Sequence, residues 1–423
     1  MSHFVIQGQA PLSGSIPVYG SKNAALPLLA ACLLTDEPVT IDNIPPILDV
    51  PHILDIFRSL GAQASMEGSR VTVQASRIDP TKIPPELVSK LRGSILLLGA
   101  LLGRSRAMRL PRPGGDIIGA RPIEVHLDAF RQLGATVTED GDYVAIDGQE
   151  MQPGIVVLQE FSVTATENVM LAAACLPGTT TIRIAAAEPH VVALAELLSQ
   201  MGAKVSGAGT HTITITGANK LRGAHLTTIP DMLEAGLFIL MAAATKSEIT
   251  VEHVPINDLE LFFKKIDDIG IHYDQSWENE ALGLSSITVK PSVLRSFNVQ
   301  TLPYPGVPTD LQAPFSVIAT QVTGSSLIHD PMYEGRFKYV SELQKMGANI
   351  VVCDPHRIII TGPTPLSGRR IPSLDIRAGA TLLMAGLIAK GETIIDNAEI
   401  IDRGYANIVD RLQAIGANIT REQ

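Results

Sequence analysis

The chain has 423 residues, more than one hydrophobic core ordinarily supports, so two domains are expected. Aromatic residues are only 4% of it, with a single tryptophan, Trp277, which favours a regular core of Leu, Ile, Val and Ala over an aromatic-rich binding surface. A formal net charge of −10 argues against non-specific nucleic-acid binding but leaves room for a local basic cleft around an anionic small molecule. No uninterrupted apolar stretch reaches membrane-spanning length, and no basic region followed by a long apolar run opens the sequence, so a cytoplasmic protein is expected. Cys32, Cys175 and Cys353 are far apart and set among apolar residues, which argues against a disulfide framework or a zinc site.

Taken in chain order, the predicted elements repeat. An amphipathic helix that closes on glycine and leads into a short strand recurs six times, ending at Gly61, Gly134, Gly202, Gly270, Gly347 and Gly416. A second type of helix, apolar nearly all round, precedes each of these over residues 23–34, 93–102, 168–176, 233–244, 311–322 and 378–389. A helix without a polar face must be buried on all sides. The repeating unit is therefore a β/α fold of about 70 residues with one helix inside and one outside, and three units make a domain of ordinary size.

The entrances to the inner helices carry the chemistry. In order they are Ser21-Lys22-Asn23, Lys90-Leu91-Arg92, Thr164-Ala165-Thr166-Glu167, Pro230-Asp231, Pro308-Thr309-Asp310 and Asp375-Ile376-Arg377. Free amides and the positive end of the dipole make such N-termini natural anion sites. Asp231 and Asp310 have two readings here, since Asp is also a preferred N-cap. Lys22, Arg92 and Arg377 have no capping role, and cations at these positions are disfavoured unless an anion is present. If the six inner helices point toward one cleft between the domains, these charges converge. The segment from Pro113 to Pro122, with Gly114, Gly115 and Gly119, cannot form a regular helix or central strand, yet it holds Asp116 and Arg121. It reads either as a surface turn built on Asp116 or as a lid.

Four stretches taken together resemble the enolpyruvyl transferases, in particular the branch acting on UDP-N-acetylglucosamine. They are Gly20-Ser21-Lys22-Asn23-Ala24-Ala25-Leu26-Pro27, the Pro113–Pro122 segment, Pro308-Thr309-Asp310-Leu311-Gln312-Ala313 and Ile401-Asp402-Arg403-Gly404-Tyr405. The resemblance spans the chain in order. The branch acting on shikimate 3-phosphate would show Gly-Ser-Lys-Ser where this chain has Gly-Ser-Lys-Asn.

The resemblance implies a two-domain inside-out α/β barrel of six βαβαββ repeats, three per domain. The first domain would be residues 22–229, carrying a lid at 111–122; the second would be residues 1–21 with 230–423. The implied substrates are phosphoenolpyruvate and UDP-N-acetylglucosamine, reacting through a tetrahedral adduct with release of phosphate. No cofactor, metal, nucleic acid, membrane or obligate protein partner is implied. The sugar hydroxyl must lose a proton, and the resemblance places Asp310 as the base. Guanidinium forks suit the two anionic groups of phosphoenolpyruvate. The resemblance gives Arg121 and Arg403 to its phosphate, Arg377 to its carboxylate and Lys22 to the intermediate. Asn23, Arg92, Pro122, Ile123, Glu124, Val125, Ser162, Val163 and Met332 complete the implied binding set.

Asp116 stands where most of the family has the cysteine that fosfomycin attacks. A carboxylic acid there can protonate the methylene carbon of phosphoenolpyruvate if its surroundings raise its pKa, so activity without fosfomycin sensitivity is expected. Met232-Leu233, His190, Thr164 and Glu160 also depart from the usual pattern. They leave open a paralogue using another nucleotide acceptor, as in certain nucleoside-antibiotic pathways. A third reading is a non-catalytic sugar-nucleotide-binding regulator, which has no need of Lys22, Asp310, Arg377 and Arg403 together.

Overall fold

A computed structural model describes residues 2–112, 114 and 122–423. Among these, the strands form six small open sheets, three in each of two compact units. One unit contains residues 2–19 and 230–423; the other contains 20–112, 114 and 122–229. Asp116, Arg121 and most of the expected lid lie outside the described residues.

In the unit built from the chain's two ends, the repeat is plainest over residues 298–362. The short strand Asn298–Gln300 runs parallel to Gly324–His329, and a buried helix, Gln312–Ala319, lies between them in sequence. An outer helix, Val340–Lys345, then leads to a hairpin of Asn349–Asp354 and Arg357–Gly362, whose second strand pairs with Gly324–His329. In a second sheet, Ser13–Pro17 runs parallel to Glu248–Pro255. The third borrows His3–Gln7, which lies between Glu392–Asp396 and Asn418–Glu422 and is antiparallel to both. The inner helices Met232–Ala244, Gln312–Ala319 and Ile376–Ile388 pack on one another. Every residue from Leu233 to Ala244 is buried, as the absence of a polar face requires.

The 20–229 unit follows the same plan. Its inner helices are Lys22–Ala31, Leu97–Ser105 and Val163–Ala173, each a few residues offset from the expected range. A 3-10 segment, Arg92–Leu96, precedes the second. Gly99 is needed where the second and third helices meet, because a Cβ there would lie 2.2 Å from the carbonyl oxygen of Asn168. The division into inside and outside helices is less strict than the repeat implies. Pro189–Gln200, the outer helix of its repeat, packs against Lys22–Ala31.

All six glycines expected to end outer helices have positive φ, from 88° at Gly270 to 114° at Gly202. That is the left-handed conformation which a side chain disfavours and glycine accepts. The ends-derived unit also contains a buried ion pair, with Arg411 Nη1 2.6 Å from Glu234 Oε1. Glu234 Oε2 accepts a hydrogen bond from the Tyr19 amide at 2.8 Å, and Arg411 donates to the Pro17 carbonyl. Among the described residues no helix is long and apolar enough to cross a membrane. None of them forms a cluster of three or more His, Cys, Asp or Glu suited to a metal ion.

Candidate active site

Asp310 is not the helix cap that its local sequence allows. Pro308 holds the cap position of the 3-10 turn Thr309–Leu311, and the Asp310 carboxylate turns to two guanidiniums instead. Arg336 Nη2 lies 2.5 Å from Oδ1, and Arg377 Nε lies 3.4 Å from Oδ2. Asp231 does act as a cap, accepting from the amides of Leu233 at 2.8 Å and Glu234 at 3.2 Å. Asp375 caps the last inner helix in the same way, accepting from the amides of Arg377 and Ala378.

Arg377 is buried in the first turn of the helix Ile376–Ile388, where the dipole disfavours a cation. The chain supplies compensating groups itself. Burial opposes the charge, but Tyr405, Asp310 and Asp231 outweigh it and raise the pKa. Its Nη1 donates to the Tyr405 hydroxyl at 2.8 Å. Burial pushes that hydroxyl up to about 12, against the opposing influence of Arg377, so it stays protonated at neutral pH. Arg336 is held likewise: burial opposes its charge, while Asp310, Asp375, Tyr333 and Asp330 favour it and prevail. Its backbone carbonyl accepts from Gln312 Nε2 at 3.4 Å, and Gln312 Oε1 accepts from the Tyr339 hydroxyl at 2.8 Å. Arg403 closes a 3-10 helix, Ala398–Arg403, and is half-buried.

In the 20–229 unit, Lys22 is the first residue of its helix, and its Nζ lies 2.6 Å from Oδ2 of buried Asp49. Asp49 in turn opens the helix Asp49–Leu60. The anion that a lysine at this position calls for is thus in part the chain's own. Ser162 caps the helix Val163–Ala173, accepting from the Ala165 amide at 3.4 Å. Ile123 and Val125 are buried, whereas Pro122 and Glu124 are exposed, the latter paired with Arg131.

A buried polar network ties these segments together. Asn168 Oδ1 accepts from the Gly99 amide at 2.6 Å, while its Nδ2 donates to the Ile95 carbonyl at 3.1 Å and to His126 Nδ1 at 2.9 Å. His126 Nδ1 is therefore an acceptor, which puts the proton on Nε2, 3.3 Å from the Thr164 hydroxyl. Burial, with a contribution from the charge of Arg92, lowers the His126 pKa to about 3, so the ring is neutral. The network joins the stretches bearing Arg92, Val125 and Ser162. Close by in sequence, Glu167 is fully buried with no hydrogen-bond partner at Oε1 among the described residues. Burial, and next the charge of Glu188, hold its pKa well above the usual carboxylate range.

The structure thus joins Asp310 to Arg377, and places Lys22, Asn23, Arg92 and Ser162 at helix entrances of the other unit. Met332 is partly buried, and its amide is taken by Asp330. Sequence reasoning did not single out Arg336, Asp49 or Asp330. A signal for Arg336 did exist. The stretch between the inner strand and the outer helix, which holds Arg121 and Arg403 in their repeats, holds Gly335-Arg336 in the fifth.

The fold is thus built of repeated βαβαββ units, with the Asp310 carboxylate clasped by Arg336 and Arg377 at an inner-helix entrance. Residues 6–412 match the family described as EPSP synthase (3-phosphoshikimate 1-carboxyvinyltransferase), and the chain belongs to that enolpyruvyl transferase family. Two relatives match it end to end. UDP-N-acetylglucosamine 1-carboxyvinyltransferase 2 of Geobacillus kaustophilus is 40% identical, with 100% of this chain and 97% of that one covered. UDP-N-acetylglucosamine 1-carboxyvinyltransferase of Treponema denticola is 41% identical, with 99% of each covered. Among solved structures, the enolpyruvyl transferase NikO from Streptomyces tendae superposes with a TM-score of 0.88 at 27% identity, covering 99% of this chain and 98% of that one. EPSP synthase from Acinetobacter baumannii shares the fold, with a TM-score of 0.77 at 20% identity and 100% of both chains covered.

Proposed function

We propose that the chain transfers the enolpyruvyl group of phosphoenolpyruvate to the 3-hydroxyl of UDP-N-acetylglucosamine and releases phosphate, the step that opens peptidoglycan synthesis. The observation that carries this reading is Asp310 held between Arg336 and Arg377 in a chain matched along its whole length by relatives of that name. The two compact units are taken as the family's two domains, residues 22–229 and residues 1–21 with 230–423, and the cytoplasm as the place of action.

In the proposed reaction the sugar hydroxyl gives its proton to Asp310 as its oxygen attacks C2 of phosphoenolpyruvate. The C3 methylene takes a proton from Asp116, giving a tetrahedral adduct. Phosphate then leaves C2 with the proton held by Asp310, while C3 returns one proton to Asp116 and the double bond is restored. The anionic groups of phosphoenolpyruvate compete with Asp310 for Arg336 and Arg377, so substrate binding frees the Asp310 oxygens for the hydroxyl proton. Arg377 takes the substrate carboxylate, Arg121 and Arg403 the phosphate, and Lys22 the adduct. Asn23, Arg92, residues 122–125, Ser162, Val163 and Met332 hold the sugar nucleotide.

A second reading, another nucleotide acceptor, draws support from Thr164, whose hydroxyl meets His126 beside the proposed nucleotide-binding residues. Phosphate release from phosphoenolpyruvate, measured with UDP-N-acetylglucosamine and with a panel of other UDP-sugars and free nucleotides, separates the two. Release with another acceptor and none with UDP-N-acetylglucosamine would overturn the first reading. Binding of UDP-N-acetylglucosamine without any turnover would point to a regulator.

A further inference from the structure

Asp330 follows the strand Gly324–His329, which is paired on both sides, and its own backbone is fixed at both ends. Its amide donates to the His356 carbonyl at 2.8 Å, and its carbonyl accepts from His356 Nδ1 at 2.8 Å. The residue has no solvent exposure. Each carboxylate oxygen serves a different loop. Oδ2 accepts from the Thr309 hydroxyl at 2.5 Å, and Oδ1 accepts from the Met332 amide at 2.9 Å.

These two recipients are not arbitrary. Thr309 is bonded in sequence to Asp310 and shares its 3-10 turn, while Met332 belongs to the proposed sugar-nucleotide set. Beyond Met332 the chain runs to Arg336, which grips Asp310 from the other side. One buried carboxylate therefore spans the start and the end of a loop of structure whose middle is the proposed base. A buried carboxylate is costly to keep unless its charge is used. Here the charge also faces Arg336 and helps to hold that guanidinium ionised, after the larger influences of Asp310, Asp375 and Tyr333.

We infer that Asp330 is a positioning residue for the reaction: through the Thr309 hydroxyl it sets the Asp310 carboxylate against the acceptor hydroxyl, and through the Met332 amide it sets the nucleotide-side loop in the same register. The inference rests on the proposed enolpyruvyl transfer and deepens it. Asp330 touches neither substrate. Its effect falls on turnover, because a misplaced base loses rate before it loses binding.

The test uses the full chain. Asp330→Asn keeps an acceptor for Met332 but presents an amide to Thr309, so the hydroxyl no longer donates into a carboxylate. The expected kcat falls roughly ten- to hundredfold, with the KM for phosphoenolpyruvate within about twofold of wild type. Thr309→Val removes only the donor and gives a similar loss, and it keeps the test intact if Asp330→Asn fails to fold. Because the two act through one bond, the double variant loses no more than the worse single one. Asp330→Glu, which restores the charge, recovers part of the rate. Folded Asp330→Asn with wild-type kcat overturns the inference, as does a double variant whose losses multiply. A wild-type chain that releases no phosphate with any acceptor sinks the functional reading, and this inference with it.

Discussion

Arg336 and Asp310 link the fifth repeat's two loops, with Nη2 2.5 Å from Oδ1 and both side chains largely buried. A planar fork both orients the carboxylate and offers a second face to an incoming anion. Replacing Arg336 by Lys keeps the charge and loses the fork. The expected result is a fall in kcat/KM for phosphoenolpyruvate of roughly tenfold or more, while Arg336→Met costs more, because it takes a guanidinium away from a largely buried carboxylate. Steady-state kinetics at saturating acceptor read both. A lysine variant with unchanged kcat/KM would remove Arg336 from the site.

The Asp310→Asn variant keeps the shape and loses the proposed base. Its kcat should drop by about a hundredfold to ten-thousandfold with phosphoenolpyruvate binding retained, as seen by calorimetry. Retained turnover would reassign the base.

The stability of the 20–229 unit should have a pH optimum bounded by two buried groups. His126 titrates near 3 in the fold against about 6.5 unfolded, so as pH falls below about 6.5 the unfolded state takes up the proton first. Stability is then lost down to about pH 3, by up to about 1.4 kcal/mol per pH unit. Glu167 acts in the opposite sense. Its folded pKa is raised, so its contribution is full below the ordinary carboxylate pKa and fades as pH rises above it. Melting temperature against pH should flatten on the acid side in His126→Gln and on the alkaline side in Glu167→Gln. Unchanged flanks in both variants would refute the assignment.

Glu234 and Arg411 are both buried, and removing one partner strands the other. Glu234→Ala should cost about 3–5 kcal/mol and lower the melting temperature by several degrees. The companion change, Arg411→Met with Glu234→Leu, should recover most of it.

With aspartate at position 116, phosphate release should be insensitive to fosfomycin, since no thiol is present there to be alkylated. Asp116→Cys should become subject to time-dependent inactivation. Inactivation of the wild type, or an active and fully resistant cysteine variant, would each contradict the placement of Asp116 as the acid.

The repeat was legible because its marks are local. A left-handed helix end favours glycine, as at all six outer-helix ends here, and an all-apolar helix declares its burial without knowledge of its neighbours. Asp310 and Arg336 were harder for the opposite reason. Asp310 sits in a sequence that satisfies capping rules, and only a tertiary contact with residues 26 and 67 positions further on turns its carboxylate away. The partnership of Lys22 with Asp49 is of the same kind, since nothing in either segment names the other. Thr164 stood out in the sequence, but its meaning depends on His126, which lies on a different helix.

The sheet that includes His3–Gln7 has a consequence for synthesis. This strand emerges from the ribosome before residues 20–229, yet its two neighbours, Glu392–Asp396 and Asn418–Glu422, are made after them. The whole 20–229 unit can complete its own sheets while His3–Gln7 waits with both edges bare. A nascent chain stalled before residue 392 therefore displays an unpaired strand beside a finished domain, which is the kind of edge that chaperones must cover.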